Sequence, residues 1–189
     1  YSTGLKENHQ EGCRYYDFDL SSSHTLGIYV DHGSYPQWRD DEYDVIFHMG
    51  ALARIQPSLK HPHKTLFNNF VSTLNILEYA RKKNIKVVYA GSSSFHHGLW
   101  GSSYAWSKHA GEQLCKLYTK VYDLPTAICR FYNVYGEHQL EDGAYATLLG
   151  IFEKQYREGK PLTIVGTGEQ RRDFTHVDDI VDGIVRASE

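Results

Sequence analysis

The stretch Val87 to Lys108, VVYAGSSSFHHGLWGSSYAWSK, decides how the chain is read. An apolar, β-branched run ends in serines, and a Tyr-x-x-x-Lys follows at Tyr104 and Lys108. Four residues apart on a helix, these two side chains share one face, one turn above the other. An ammonium beside a phenol favours the phenolate and brings the tyrosine toward a range useful for proton transfer. A hydroxyl from Ser93 or Ser94, at the end of the preceding strand, can hydrogen-bond the same substrate oxygen. Serine, tyrosine and lysine together form a proton-handling site for oxidising an alcohol, given a nicotinamide alongside. Tyr-x-x-x-Lys alone is weak evidence, because chance places it in many helices. The strand, serine run and helix in that order make it much stronger.

Outward from this stretch, strand-like and helix-like segments alternate, which predicts a parallel sheet covered by helices. Cys13 to Phe18, Val45 to Met49 (after the loop at Asp40-Asp41-Glu42), Lys86 to Ala90, Thr126 to Phe131 and Leu162 to Val165 read as strands. Leu66 to Lys82 carries an apolar stripe at helical spacing through Leu66, Phe70, Leu74, Leu77 and Ala80. Tyr104 to Tyr122 reads as a long helix stopped before Pro125. Ala144 to Glu158 reads as another, ended by Gly159 and Pro161, and Asp178 to Ser188 as a third with acidic residues in its first turn.

Seven motifs occur in an order that resembles the extended short-chain dehydrogenase/reductase family, within it the NAD-dependent epimerase/dehydratase group acting on nucleotide sugars. They are YDFDL (16–20), YDVIFHMGALA (43–53), NNFVSTLNILEYAR (68–81), VVYAGSSS (87–94), YAWSKHAGEQL (104–114), CRFYNVYGEH (129–138) and PLTIVGTGEQRRDFTHVDDIVDGI (161–184). The resemblance implies an α/β, Rossmann-like, doubly wound parallel sheet with part of a small substrate-binding lobe. Residues 1–135 are then a partial NAD-binding domain and residues 136–189 part of the lobe, interwoven with the sheet. The family's opening strand and G-x-x-G-x-x-G turn, whose helix N-terminus holds the cofactor pyrophosphate, do not occur in these 189 residues. Tyr1-Ser2-Thr3-Gly4 resembles the segment just after the family's second strand, where an acidic residue reads the adenosine ribose. The expectation is an N-terminally incomplete piece of a longer protein, with a naturally short protein as the alternative.

The resemblance also assigns residues. Asp19 and Leu20 match a pair that contacts adenine; a strand-end aspartate capping a turn is the competing reading of Asp19. Met49, Gly50 and Ala51 follow a strand where small residues admit the cofactor backbone closely. Asn69 matches an asparagine that buttresses the loops near the cofactor, against the alternative of a helix residue satisfied by local backbone. Counting back from Gly98 places the substrate hydroxyl on Ser93, with Ser94 and Phe95 after it. Tyr104 is the base, and Lys108 holds the phenolate and the nicotinamide ribose. Phe131 and Val134 pack beside the nicotinamide, Asn133 contacts the sugar diphosphate or is a turn residue, and Arg172 of EQRRDF meets the nucleotide phosphates. Arg171 reads as solvated and His176 as structural.

The implied activity is a nucleotide-sugar 4-epimerase using bound NAD through a transient 4-keto sugar. A reductase or dehydrogenase of the same family is the runner-up, and a non-catalytic domain unable to bind cofactor alone is the reading from another class. NADP stays open as the cofactor, and neither sugar nor nucleotide is specified. A homodimer is expected for the complete protein.

Composition bounds the rest. The net charge of −3 gives no support for a nucleic-acid or bilayer partner. Cys13, Cys115 and Cys129 lack C-x-x-C spacing and read as reduced thiols, and there is neither a signal peptide nor a spanning apolar run, so a cytoplasmic protein is expected. His61-x-His63 and His96-His97 lack partners at ligand spacing, so no metal site is expected. Fifteen tyrosines and eleven histidines are high for 189 residues, and amphipathic packing accounts for them.

Overall fold

A computed structural model describes residues 6–22 and 42–189. Three parallel strands form the main sheet in the order β1 (Val45–His48), β2 (Lys86–Ser92), β3 (Thr126–Phe131). Val45 pairs with Lys86 and Val87 with Thr126, and both ladders run in register from there. The central strand β2 is buried from Val87 to Ser92, as a strand flanked on both edges and covered by helices must be.

The crossover from β1 to β2 contains α1 (Ile55–Lys60) and α2 (Pro62–Lys83). Pro62 sits in the first turn of α2, where its missing N–H costs nothing, and Asn84 ends the helix in the left-handed region at φ 55°. The crossover from β2 to β3 contains α3 (Ser103–Tyr122), whose N-cap Ser102 accepts a hydrogen bond from the Ala105 amide at 3.1 Å. Asp123, also left-handed, closes it before Pro125.

Helices α2 and α3 lie together on one face of the sheet. Ile76, Leu77 and Ala80 of α2, Cys115 and Tyr118 of α3, and Val87 and Tyr89 of β2 make one buried cluster. Tyr118 also donates to Glu78 at 2.6 Å, tying α3 to α2. Gly111 on α3 is required by this packing: a Cβ there would lie 2.1 Å from the Tyr89 hydroxyl.

Beyond β3 the chain forms a two-stranded parallel sheet, β4 (Val134–Tyr135) with β5 (Thr175–His176), and the helices α4 (Leu148–Arg157) and α5 (Val177–Ser188). At φ +144°, Gly136 lets β4 approach α5, since a Cβ would sit 2.6 Å from a Val177 methyl.

Most expected elements form within a few residues of their expected bounds. Two expected strands do not. Residues 13–18 and 162–165 belong to no ladder, because no strand among the described residues lies beside either to share its N–H and C=O groups. Their apolar residues stay exposed, Ile164 and Val165 by 71% and 77%. Helix α4 starts at Leu148 and not at Ala144, because the Thr147 side chain caps it by accepting from the Gly150 amide at 2.9 Å. Short α1 and the two-residue strands β4 and β5 have no counterpart in the sequence reading. Tyr1 to Gly4 and the Asp40-Asp41 part of the loop before β1 lie outside the described residues.

Candidate active site

The carboxyl ends of β1, β2 and β3 open into one cavity of about 850 Å³. This is where a parallel α/β sheet collects ligands, since loops from successive strands meet there. Ala51 and Leu52 enter after β1, Ser92, Ser93 and Ser94 from β2 and the turn after it, and Phe131, Asn133 and Val134 after β3. Tyr104 of α3 lines the same cavity, and Arg172 reaches it from the segment just before β5.

The serine run leaves β2 as a short 3-10 helix (Ser93–His97), which turns successive hydroxyls in different directions. Tyr104 Oη lies 3.4 Å from Ser92 Oγ. Ser92 Oγ is also met by the Ser94 amide at 3.2 Å and the Ser94 hydroxyl at 2.9 Å. Ser93 lines the cavity, and its hydroxyl has no protein hydrogen bond among the described residues. Phe95 is held behind the turn by the Arg130 guanidinium, 4.2 Å over its ring. Arg130 in turn chelates the buried Glu112 of α3, with contacts of 2.7, 3.0 and 3.2 Å.

Lys108 is only 5% exposed. Burial pulls its ammonium down to about 8, against upward pulls from Cys115 and Glu112. Its Nζ stands 4.4 Å over the ring of Tyr89. His48, at the end of β1, is buried beside the same ring and its Nε2 is 3.0 Å from Thr73 Oγ1. Burial, with the Lys108 charge second, pulls His48 down to about 3, so it stays neutral at working pH.

Asn69 on α2 bridges three parts of the site. Its side chain accepts from the Leu52 amide at 2.7 Å, donates to the Leu52 carbonyl at 3.1 Å, and donates to Ser107 Oγ of α3 at 2.9 Å. The loop after β1 is therefore tied to both helices by one buried amide, not by local backbone. Leu20 packs beside Gly50, where a Cβ would meet Leu20 Cδ1 at 3.1 Å, and its carbonyl accepts from Asn75 at 2.8 Å. Asp19 accepts from both the amide and the hydroxyl of Ser21, which lowers its pKa and makes it a turn-closing aspartate in this structure. Met49, Gly50 and Ala51 form an exposed lip after β1.

Asn133 donates to the Asp173 carbonyl at 2.8 Å, fastening the end of β3 to the segment carrying Arg172. Arg172 is exposed and donates to the Arg171 carbonyl at 2.7 Å. The His176 ring caps α5 through the Asp178 amide at 3.3 Å. The sequence reading did not single out Ser92, His48, Tyr89 or Arg54. Arg54 lines the cavity with φ 93° and donates to the Tyr145 carbonyl at 3.0 Å, joining the β1 loop to the segment before α4. No local pattern marks such a residue, because its conformation is set by the loop around it.

The residues present suit the ribose and nicotinamide end of a dinucleotide. Gly50 and Ala51 leave exposed backbone at the lip, and the buried cation Lys108 lies one turn along α3 from the cavity-lining Tyr104. Among the described residues, no group of three or more His, Cys, Asp or Glu is placed to hold a metal, and no helix is long and apolar enough to cross a membrane.

Residues 36–189 match the model of the NAD dependent epimerase/dehydratase family. An uncharacterised UDP-glucose epimerase, YtcB, from Bacillus subtilis is 36% identical over 154 residues, covering 75% of this chain and 48% of that protein. A UDP-N-acetyl-alpha-D-glucosaminuronate decarboxylase from Bacillus cytotoxicus is 31% identical over 164 residues, 78% of this chain and 50% of that protein. The crystal structure of the Thermus thermophilus UDP-glucose 4-epimerase complexed with NAD superposes with a TM-score of 0.84 at 25% identity, covering 98% of this chain and 63% of that one. The chain spans about half the length of the curated relatives it matches.

Proposed function

Because the chain belongs to the NAD dependent epimerase/dehydratase family, we propose that it carries the chemistry of a nucleotide-sugar 4-epimerase, with NAD as cofactor and a nucleoside diphosphate sugar as substrate. The observation that carries this reading is the pairing of Tyr104, 3.4 Å from a strand-end serine hydroxyl, with a buried lysine one turn along the same helix. Ser93, Tyr104 and Lys108 are the proposed catalytic set. Tyr104, as phenolate, takes the proton of the sugar C4 hydroxyl and later returns it. Lys108 keeps the phenolate charged and donates to the nicotinamide ribose. Ser93, whose hydroxyl has no protein hydrogen bond among the described residues, donates to the reacting oxygen, while Ser92 supports Tyr104 from the strand end. The chemistry NAD supplies when bound is reversible hydride transfer at C4.

Asp19, Leu20, Met49, Gly50, Ala51, Asn69, Phe131 and Val134 are proposed to line the cofactor side, with Asn69 acting through the loop it ties. Asn133 and Arg172 are proposed for the sugar diphosphate. On this reading residues 1–135 serve the cofactor and residues 136–189 the substrate. The cavity of about 850 Å³ supports a mechanism in which a keto sugar turns over before the proton is returned on Tyr104. The protein is further proposed to act as a homodimer. Half-exposed Phe67 on α2 and Leu117 and Val121 on α3 support this, and sedimentation equilibrium tests it.

The deciding experiment gives the product of the whole reading frame UDP-hexoses and NAD and weighs the products. Epimers keep the substrate mass. The two places after Ser93 are Ser94 and Phe95, which offer no acid–base pair for eliminating water. A product lighter by one water or one carbon dioxide, or stoichiometric release of reduced cofactor, overturns the epimerase reading.

A further inference from the structure

We propose that Tyr89 is a positioning residue for Lys108, the face of its ring holding the ammonium in place and in its charged form one turn from Tyr104. The inference rests on the reading above only in giving Lys108 a task. The contact itself is independent of it.

Lys108 Nζ stands 4.4 Å from the Tyr89 ring centroid, within the range where a cation is drawn to the negative face of an aromatic ring. A buried ammonium needs a partner, and among the described residues no carboxylate lies within ion-pair distance of it. Glu112, the nearest acid on its own helix, is spent on Arg130, which reaches it from β3. His48 faces the ring from β1 and is kept neutral by burial, and Cys115 on α3 is pushed up to about 12, so neither supplies a countercharge. The phenol of Tyr89 is also pushed upward by burial and stays neutral. That leaves the π face.

The ring is fixed from three sides. Its hydroxyl donates to the Lys108 carbonyl at 3.3 Å, the His48 ring packs at 5.7 Å between centroids, and Gly111 leaves room for the hydroxyl against α3, where a Cβ would lie 2.1 Å from it. A residue with a Cβ at position 111 would displace the ring from under the ammonium, so Tyr89 and Gly111 act as a matched pair across β2 and α3.

The test reads the charge of Lys108 directly. The full chain is labelled with trace acetic anhydride across a pH series, and the Lys108 peptide is quantified by mass spectrometry to give its titration midpoint. Tyr89→Phe keeps the face and removes the hydroxyl, and its midpoint should match the native one. Pentafluorophenylalanine at the same position keeps the shape but reverses the ring's polarity. It should lower the midpoint by about one unit and raise labelling at pH 7 about fivefold. Gly111→Ala should shift it the same way. An unchanged midpoint with the fluorinated ring, or an equal shift in Tyr89→Phe, overturns the proposal. Because labelling needs neither cofactor nor substrate, absence of epimerase turnover would count against the proposed function and leave this result standing.

Discussion

Tyr104 lines the cavity while Lys108, one turn along, is almost fully buried. The two should therefore fail differently. Tyr104→Phe deletes the proton acceptor and almost no volume, so in the active protein turnover should fall by about 10²–10⁴-fold with NAD affinity nearly unchanged. Lys108→Met should damage both, since the ammonium is assigned to the phenolate and the ribose. Steady-state kinetics beside calorimetric NAD titration reads the difference, and near-normal turnover in Tyr104→Phe removes Tyr104 as the base. A second prediction concerns His48. Its pKa is 6.5 when free and about 3 in the fold, so the unfolded chain binds the extra proton first. The resulting stability is fully present above pH 6.5 and is lost as pH falls toward 3, about 5 kcal/mol in all. His48→Gln should flatten that acid limb in denaturant titrations, and an unchanged slope refutes the assignment. The spacing of Tyr104 and Lys108 was legible in the sequence. Which serine meets the tyrosine was not, because the 3-10 turn after β2 rotates neighbouring hydroxyls apart. His48 and Tyr89 were hidden for another reason: a strand residue facing a helix looks like core until the partner across it is known.

At the scale of elements, the patterns that read correctly are those whose partners lie close in sequence. β2 and β3 pair across a crossover whose one α-helix is α3, and α2 and α3 both pack apolar residues against the same strand. The segments at 13–18 and 162–165 also read as strands from their apolar and aromatic residues, but such composition reports only a preference for a pleated surface. A strand also needs a ladder, and no described element supplies one. The start of α4 was misplaced because Ala144 to Ala146 favour helix, whereas Thr147 both caps the helix and donates to Gln139 at 2.8 Å. Asn69 is the element-scale residue most open to test, because it joins α2, α3 and the loop after β1. Asn69→Ala removes three hydrogen bonds and leaves the Leu52 amide and carbonyl without their partner, which should cost about 2–4 kcal/mol. Thermal unfolding measures that cost. A rise in the NAD dissociation constant beyond the stability loss would show that the loop contacts the cofactor, whereas Asn69→Asp, which keeps one acceptor, should lose less.

Taken whole, the described residues gather the carboxyl ends of three parallel strands, the start of α3 and a second small sheet around one cavity. Among the described residues, no helix N-terminus stands open as a receiver for the pyrophosphate of the proposed cofactor. Two negative charges ask for backbone N–H groups at a helix N-terminus, with glycine allowing close approach. No G-x-x-G-x-x-G occurs in the 189 residues. Among the described helices, α1, α3, α4 and α5 begin at the cavity, where Ile55, Tyr104, the N-cap Thr147 and Val177 line it, and α3 and α4 are already capped by the Ser102 and Thr147 side chains. The N-terminus of α5 is already capped by His176 and bears Asp178 and Asp179 in its first turn, which repel a phosphate. Helix α1 has only six residues and a correspondingly small dipole. On the proposed reading the nicotinamide end of NAD has its partners, while among the described residues its most highly charged part does not. Calorimetry of the 189-residue chain with NAD should accordingly find a dissociation constant weaker than about 1 mM, less than about 4 kcal/mol of binding free energy. The measurement should be nearly insensitive to Lys108→Met, because a contact worth little without its anchored neighbour loses little when removed. A micromolar constant for the native chain would mean that Arg54, Arg172 or the open backbone at Gly50 and Ala51 receives the pyrophosphate, and single substitutions of the two arginines would then show which one.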